Sequence, residues 1–337
     1  MNPMQPLLLV SYGAPECVEE VVPFLNNLFA GKEVSAQRRA AAIQKYEQYA
    51  AKTGHYSPLN AECRKLIDGI RRECSSRPNL CTKGRGETSP VGAEPLVYWG
   101  NLFGNPLLVD TISEMARNGV QRAVCFTTSA FDSPSGNQHY IHALESARRT
   151  VGKEAPILKI LPLLFDHPLF IEAQTDRLLD ALAQYHVAES TMLETASNRR
   201  QTAAILFSAH SIPSTDNVRC RYVEQLQTTC RTVIEKGGTS IPWELVYQSR
   251  SGPTEHWLTP DIKERVGTLA AEQIESVIVS PMGFFCENME TEYDLDIEIG
   301  ELCAKLGLNF YRAKAVGGMP TICRLIAELA FGSKSSQ

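Results

Sequence analysis

Eight short apolar runs, separated by longer segments with helical spacing, constrain the fold of this chain more than any other feature. Each run has the length and the β-branched or apolar composition of a strand, and the alternation is typical of βαβ units with parallel sheets. The predicted strands are Pro6–Tyr12, Pro95–Trp99, Arg122–Thr128, Ile157–Leu164, Ala203–Ser208, Leu245–Gln248, Ser276–Ser280 and Asn309–Lys314. They form two similar sets of four, so the sequence predicts an α/β protein with two lobes.

The carboxyl ends of the predicted strands are the places where we expect a site, because open parallel sheets bind ligands beyond those ends. This rule selects Tyr12, Ser129, His210, Arg250 and Phe284. The segment 75–93 is rich in Ser, Pro and Gly, which is typical of an exposed loop without a catalytic role. Neither a dinucleotide fingerprint nor a P-loop motif occurs in the chain, so nucleotide binding has no support.

Composition and charge exclude several classes of protein. A net charge of -5 over 337 residues lacks the basic surplus that nucleic-acid binding requires. The ten cysteines include no CxxC pair, and the chain starts without a secretion signal, so a disulfide scaffold is not expected. No apolar run approaches the roughly 20 residues that span a bilayer. We therefore expect a cytoplasmic protein.

His210 lies two residues beyond a predicted strand in the run AAILFSAHSIP. A histidine at such a strand end suits general-base chemistry, because a neutral imidazole can accept a proton near neutral pH and return it to water. The alternative is a hydrogen-bonded histidine beside a turn, since position alone does not make a catalyst.

Glu290, Asp294 and Glu298 have the spacing i, i+4 and i+8 in a segment predicted to be an α-helix ending at Gly307. This spacing places the three carboxylates along one helix face, about 6 Å apart along the axis. One interpretation is a solvated acidic face, with Asn288 as N-cap. The other is a relay, because carboxylates bind hydrated divalent cations and transfer protons.

Several motifs in order along the chain resemble those of the ferrochelatase family. The three that carry most chemistry are FSAHSIP, VYQSRSGPTEHWLTPDI and SPMGFFCENMETEYDLDIE. Further matches are LLLVSYGAPE, TGHYSPLN, VYWGNLFGNPLLVDTISEM, LFDHPLFI and VGGMPTICRLIAEL. The resemblance covers nearly the whole chain, and it identifies the chain as a member of this family of enzymes.

The resemblance implies a class II chelatase-like fold of two Rossmann-like lobes with parallel sheets and a porphyrin cleft between them. The lobes would span residues 1–155 and 156–317, and a C-terminal helix, 318–335, would pack back on the first. It assigns His210 and Glu290 as catalytic and metal-binding residues, and Asp294 and Glu298 as a metal or proton relay. It also implies porphyrin-binding roles for Tyr12, Lys32, Ser57, Ser133 and Ser135.

Two positions depart from the family pattern. Glu287 and Asn288 stand where the family often has Asp-His, which removes an imidazole near Glu290. Ala30-Gly31-Lys32 occupies the place where the family has Arg-Gly-Arg. This segment therefore has one cation, where the family has two that could bind a propionate.

The resemblance implies an iron-inserting lyase of haem biosynthesis, with Fe2+ and a porphyrin as substrates and no permanently bound cofactor. No iron-sulfur cluster is expected, because the C-terminal cysteine group that binds one in some relatives has no counterpart after Cys323. We expect a monomer. The apolar stretch Val21 to Phe29 is compatible with transient contact with a membrane.

Tyr12 favours coproporphyrin III over protoporphyrin IX as substrate, since it resembles the bacterial branch that makes coprohaem. Two alternatives remain. One is a cobaltochelatase of related fold, which would need a cluster of histidines at the metal. The other is a tetrapyrrole or haem carrier without turnover, against which the presence of both His210 and Glu290 argues.

Overall fold

The structure is a computed structural model that describes residues 5–77, 96–195, 202–217, 220–250 and 256–332. Most of the predicted loop 75–93, including Cys81, lies outside these residues. The strands are β1 Leu7–Ser11, β2 Val97–Asn101, β3 Arg122–Thr127, β4 Ile157–Ile160, β5 Ala203–His210, β6 Trp243–Gln248, β7 Ser276–Ser280 and β8 Asn309–Arg312. All eight predicted strands are therefore present.

The helices fill the intervals between these strands. In chain order they are α1 Val18–Leu28, α2 Ala36–Thr53, α3 Leu59–Ser76, α4 Leu108–Arg117, α5 Asn137–Val151, α6 Pro168–Thr195, α7 Ser214–Asn217, α8 Tyr222–Gly237, α9 Ile262–Ala271, α10 Gly300–Leu306 and α11 Pro320–Phe331. A 3₁₀ turn spans Gly152–Glu154, and a π-helix spans Glu290–Ile299.

The first compact unit comprises residues 1–128, 137–162 and 317–337. Its sheet has the order β2-β1-β3-β4, and all three pairings are parallel. Every residue of β1 is buried, as expected for a strand whose sheet is covered on both faces. Helix α11 packs on α3, where Gly69 leaves room for the side chain of Cys323.

The second unit comprises residues 129–136 and 163–316. Its sheet repeats the same topology, with the order β6-β5-β7-β8 and parallel pairing throughout. Apolar side chains of β5 and β7, such as Leu206 and Val279, pack in one buried cluster with Leu295 and Ile299 of the π-helix. This packing fixes the π-helix on one face of the sheet.

The predicted fold class, two similar α/β lobes with parallel sheets, is confirmed. The lobe boundaries differ in three details. The predicted boundary at 155/156 precedes β4, yet β4 pairs with β3 and so belongs to the first unit. The predicted C-terminal helix 318–335 is observed over Pro320–Phe331, and residues 333–335 lie outside the described part of the chain.

The short segment 129–136 belongs to the second unit, although the predicted boundary put it in the first lobe. The amide N–H of Asp132 donates to Gln225 Oε1 of α8 at 2.7 Å. The ring of Phe131 contacts the rings of Phe170 and Tyr222, at centroid distances of 6.1 and 6.4 Å. These contacts join the segment to residues far away in sequence, which a boundary drawn from strand order cannot anticipate.

The apolar stretch 21–29 forms most of α1, and Val21, Phe24 and Leu25 are buried within the first unit. Val22 remains exposed on the outer face of the helix. No helix in the described ranges has both the length and the apolar character needed to cross a bilayer.

Candidate active site

His210 is the last residue of β5 and lies at the point where the strand order of the second sheet reverses. In the order β6-β5-β7-β8, the crevice that binds ligands in such sheets opens beyond the carboxyl ends of β5 and β7. His210 pairs in register with Gln248, the last residue of β6. The topology therefore places the predicted histidine where a parallel sheet positions a functional side chain.

Hydrogen bonds fix the orientation of the His210 imidazole. Nδ1 lies 2.6 Å from the carbonyl oxygen of Ser211, and because a carbonyl only accepts, Nδ1 carries the proton. The Tyr222 hydroxyl donates to the carbonyl oxygen of His210 at 3.2 Å, which anchors the strand end. The lone pair is therefore on Nε2, and the side chain is about one quarter exposed, at 28%.

Glu290 approaches this Nε2 from the segment that follows β7. Its Oε1 lies 3.9 Å from His210 Nε2, and its side chain is 37% exposed. Gly283 permits the approach of this segment to β5, because a Cβ there would come within 2.7 Å of the Ala209 backbone. The structure thus brings His210 and Glu290 together, at a distance that suits an ion pair once the imidazole is protonated.

Glu290 begins a π-helix, Glu290–Ile299, where the sequence predicted an α-helix. A capping box precedes it: Thr291 N–H donates to Asn288 Oδ1, and Asn288 N–H donates to Thr291 Oγ1, both at 2.9 Å. Because the backbone bonds run from i to i+5, the predicted α-helical stacking at i, i+4 and i+8 does not describe this segment. The three carboxylates have separate surroundings.

Asp294 is buried and accepts a hydrogen bond from Ser249 Oγ at 2.5 Å. Ser249 has a positive φ of 60°, a conformation uncommon for residues other than Gly. Glu298 pairs with Lys263 Nζ at 2.8 Å and is about one third exposed. Asp294 is thus a buried carboxylate that is bound by the residue directly after β6, whereas Glu298 belongs to a partly exposed ion pair.

Glu287 forms a buried ion network with Arg312 at the end of β8. The guanidinium donates two parallel bonds of 3.0 Å to the Glu287 carboxylate, and it also binds Asp296 through Nε and Nη2. Glu287 further accepts from Thr291 Oγ1 at 2.8 Å. Burial by itself would raise the pKa of Glu287, but the charge and hydrogen bonds of Arg312 hold it below the usual value. The network therefore stabilises the start of the π-helix with an ionised carboxylate.

In the first unit, Tyr12 lies directly beyond β1, at the equivalent reversal of strand order. Its ring contacts those of Phe103, His139 and Tyr140 at centroid distances of 5.2, 5.9 and 5.4 Å. Lys32 is exposed, and burial together with the charges of Lys32 and His142 lowers the pKa of His139. Tyr12 therefore packs against His139, a residue that none of the sequence motifs selects.

The three predicted porphyrin-binding serines occupy different settings. Ser57 Oγ accepts from the Leu59 N–H at 3.3 Å, at the start of α3. Ser133 is buried, and its hydroxyl accepts from the Gly136 N–H at 3.0 Å. Ser135 is exposed. The first two hydroxyls have local backbone roles, so a porphyrin-binding role for these serines stays a prediction.

Within the described ranges, no group of three or more His, Cys, Asp or Glu side chains is arranged to hold a metal ion. Cys63, Cys74 and Cys323 are buried thiols, and burial raises the pKa of Cys323 to about 11. The expectation that the chain carries no iron-sulfur cluster stays a prediction.

Sequence reasoning missed several residues that position this site. Gln248 is buried and donates from Nε2 to the carbonyl oxygen of Glu290 at 3.3 Å, so the end of β6 holds the first residue of the π-helix. Ser249 and Arg312 act on Asp294 and Glu287 as described above. The rule that functional residues follow the ends of strands selects Arg250 but misses Gln248, two residues earlier. It does not select Arg312 either.

Comparison with known proteins supports the family that the sequence motifs indicate. The ferrochelatase family model matches residues 5–333. A ferrochelatase of Rhodopirellula baltica is 34% identical over 98% of this chain and 86% of its own length. A coproporphyrin III ferrochelatase of Nocardia farcinica is 36% identical over 97% of this chain and 87% of its own length.

The fold is also similar to that of a solved structure, SirB from Bacillus subtilis with Fe3+. That likeness has a TM-score of 0.52 at 10% identity, and it covers 97% of this chain and 95% of the other. At such low identity it shows the fold alone. The family match over nearly the whole chain, together with the His210–Glu290 pair at the strand ends, establishes that this chain belongs to the ferrochelatase family.

Proposed function

We propose that this chain inserts Fe2+ into a porphyrin, with His210 as the acceptor of pyrrole protons and Glu290 as its acidic partner. The observation that carries this assignment is the 3.9 Å separation of His210 Nε2 and Glu290 Oε1 at the carboxyl ends of β5 and β7. Metal insertion releases two N–H protons from the macrocycle as Fe2+ enters. The chain must therefore supply an acceptor that gains and loses protons readily.

The geometry of His210 suits the first proton transfer. Because Ser211 binds Nδ1–H, the lone pair of Nε2 can accept the proton of a pyrrole N–H. The imidazolium that results lies 3.9 Å from Glu290 Oε1. At this separation a charge pair gains about 1 kcal/mol in water and about 4 kcal/mol at the effective dielectric of a protein surface. Both side chains are partly exposed, which favours the lower figure.

The carboxylates of the π-helix suit the handling of the second substrate, Fe2+. Oxygen ligands bind hydrated divalent cations, and Glu290 presents a partly exposed carboxylate beside the proton acceptor. Asp294 and Glu298 follow on the same helix, held by Ser249 and Lys263. We infer that Glu290 assists metal delivery or proton removal, and that the other two act behind it.

Coproporphyrin III is the porphyrin we propose as preferred substrate. Coproporphyrin bears four propionates against two in protoporphyrin, so its site needs more hydrogen-bond donors or bound water. Tyr12, Lys32, Ser57, Ser133 and Ser135 are the residues we propose as supplying them. Relatives named coproporphyrin III ferrochelatase, at 34 to 36% identity, support this preference.

Anaerobic incubation of the purified protein with Fe2+ and each porphyrin, followed by the absorption spectrum of the product, tests the function. His210→Ala should lower turnover by about 10²-fold or more, because it removes a general base. Folding should be retained, since the side chain is at a strand end and not in the core. Wild-type turnover in this variant would show that the proton-acceptor assignment is wrong.

Comparison of kcat/KM for the two porphyrins at fixed Fe2+ tests the substrate. A higher value for coproporphyrin III is expected. Equal values, or a preference for protoporphyrin IX, would contradict the substrate proposal and leave iron insertion untouched.

A further inference from the structure

Two buried polar atoms beside the His210–Glu290 pair have no hydrogen-bond partner among the described residues. They are Ser208 Oγ of β5 and Gln248 Oε1 of β6, and both side chains are buried. A buried polar group without a partner destabilises the folded state, so native proteins pair such groups with protein atoms or with ordered water. The two atoms therefore need a further hydrogen-bonding group.

The register of the second sheet places these two side chains on one face. Ser208 pairs with Val246 and His210 pairs with Gln248, and side chains two residues apart on a strand point to the same face. Val246 packs in the buried cluster that includes Leu295 of the π-helix, so the π-helix covers this face. Diagonal neighbours on a sheet face are about 7 to 8 Å apart, which is within reach of a long side chain. Gln248 therefore extends beside Ser208 under the start of the π-helix.

The amide of Gln248 has a fixed orientation. Its Nε2 donates to the carbonyl oxygen of Glu290 at 3.3 Å and to Ser249 Oγ at 3.5 Å. Because a carbonyl oxygen only accepts, the nitrogen of the amide, and not its oxygen, faces Glu290. Oε1 diverges from Nε2 and needs a donor of its own.

We propose that Gln248 is a positioning residue for Glu290, and that one buried water molecule, shared by Ser208 Oγ and Gln248 Oε1, holds its amide in this orientation. The inference rests on the proposed function, because Gln248 acts on the reaction only through Glu290. A water molecule suits this place, since it donates to the amide oxygen and also forms a hydrogen bond with the hydroxyl. The support then runs from β5 through the water to β6, and from β6 to the backbone of Glu290.

The position of the Glu290 carboxylate depends on this backbone contact. Glu290 is the first residue of the π-helix, and its Oε1 lies 3.9 Å from His210 Nε2, outside hydrogen-bond distance. A small displacement of the first turn therefore changes whether the two groups can interact directly. Groups that orient a metal-binding side chain typically change metal affinity or activity by about 10- to 100-fold when they are removed. Loss of the Gln248 amide should therefore lower turnover through Glu290.

The competing explanation is that Ser208 and Gln248 only stabilise the sheet. Ser280 of β7 provides a matched control, because it is a buried serine whose Oγ likewise has no partner among the described residues. It pairs in register with Phe207, the neighbour of Ser208, so its side chain lies on the opposite face of the sheet. Ser208→Ala and Ser280→Ala thus remove the same hydroxyl from two faces, and only the first is next to Gln248.

Steady-state kinetics of the full chain with Fe2+ and porphyrin, without oxygen, test the positioning role. Gln248→Met should lower kcat about tenfold, and Ser208→Ala about threefold. The KM for porphyrin should not change in either variant, and Ser280→Ala should match the wild type. In a Glu290→Gln background Gln248→Met should have no further effect, because the carboxylate that it positions is gone. Wild-type kcat in Ser208→Ala, or equal losses from Gln248→Met in both backgrounds, would overturn the positioning role.

A crystal structure of the wild type, at a resolution that shows buried waters, tests the water itself. We expect one water within about 3.2 Å of both Ser208 Oγ and Gln248 Oε1. A direct bond between these two atoms, or no density between them, would overturn the water bridge. Thermal unfolding shows whether each variant folds, and Ser208→Ala, which removes a single oxygen, decides the kinetic test if Gln248→Met does not fold. If the wild type forms no iron porphyrin from either porphyrin, the proposed function fails and the positioning role fails with it, whereas the crystal structure still decides whether the water is bound.

Discussion

Two sets of carboxylates lie on or beside the same ten-residue π-helix, and they differ in what neutralises them. Glu287 and Asp296 share the buried guanidinium of Arg312. Glu290 is more than one third exposed and faces His210, a residue that is charged only when protonated. Acids that look alike in the sequence are therefore divided between a fixed ion network and a site that can exchange charge.

The difference separates a carboxylate that is fixed by a buried arginine from one that faces the proposed proton acceptor. A permanent cation next to Glu290 would stabilise its ionised form and compete with both Fe2+ and the imidazolium. The structure places the permanent cation three residues earlier, on Glu287, and fixes Glu290 through its backbone carbonyl, which accepts from Gln248. Glu287 therefore stabilises the fold through a fixed guanidinium, whereas the Glu290 carboxylate lies beside the proposed proton acceptor, His210.

The largest expected effect comes from removing the cation of the buried network. Arg312→Met should lower the free energy of unfolding by about 3 to 5 kcal/mol, because it leaves the buried Glu287 carboxylate without its cation. Urea denaturation at neutral pH measures the loss. Arg265→Met is the matched control, since Arg265 also forms bidentate pairs, but with the more exposed Glu244 and Glu272. Its loss should be about 1 kcal/mol or less, and equal losses would contradict the distinction between the two sets.

Glu290→Gln should have the converse profile, with a large effect on turnover and little on stability. The amide cannot accept a proton or stabilise the imidazolium of His210, so kcat should fall by up to about 10²-fold. Stopped anaerobic assays with Fe2+ and porphyrin measure the change. Glu292→Gln, on the same helix, is the control and should retain activity. If both variants behave alike, Glu290 belongs to a solvated acidic face.

The sequence was sufficient for the parts of this arrangement that depend on local pattern. The eight strands follow from apolar runs, and His210 follows from its position at a strand end. Asn288 as a cap was also accessible, and the structure confirms it through its bond to Thr291 N–H. These features need only neighbouring residues.

The remaining features depend on residues that are distant in the chain. Arg312 lies 25 residues from Glu287, and nothing in the spacing of either residue indicates the pair. The π-helix was wrongly predicted as an α-helix. Its first residues are held by tertiary contacts with Gln248 and Ser249, which the local sequence pattern does not indicate. The association of 129–136 with the second unit likewise depends on Gln225, 93 residues away from Asp132.

The pH dependence of stability tests the ion network directly, because the charge and hydrogen bonds of Arg312 lower the pKa of Glu287 against the opposing effect of burial. The folded-state pKa of Glu287 is below the ordinary value of 4.5. Its ionic contribution is therefore fully present above about pH 4.5 and is lost as the pH falls through the folded value. The stability difference between wild type and Glu287→Gln should be constant near neutrality and shrink in acid. Urea denaturation across that range measures it, and a constant difference throughout would contradict the ionic role.

The smallest expected effects belong to the two outer acids, Asp294 and Glu298. Neither reaches His210 in the described structure: Asp294 accepts from Ser249, and Glu298 pairs with Lys263. Asp294→Asn and Glu298→Gln should each raise the apparent KM for Fe2+ by a few-fold at most and leave kcat close to wild type, as expected for groups behind the reacting centre. Lys263→Met separates the ion pair from metal handling, because it removes the partner of Glu298 and retains the carboxylate. If Lys263→Met changes the KM for Fe2+ as much as Glu298→Gln does, the intact pair, and not the carboxylate alone, sets metal affinity. A fall in kcat for either acid variant as large as that for Glu290→Gln would show that the reacting centre extends along the π-helix beyond Glu290.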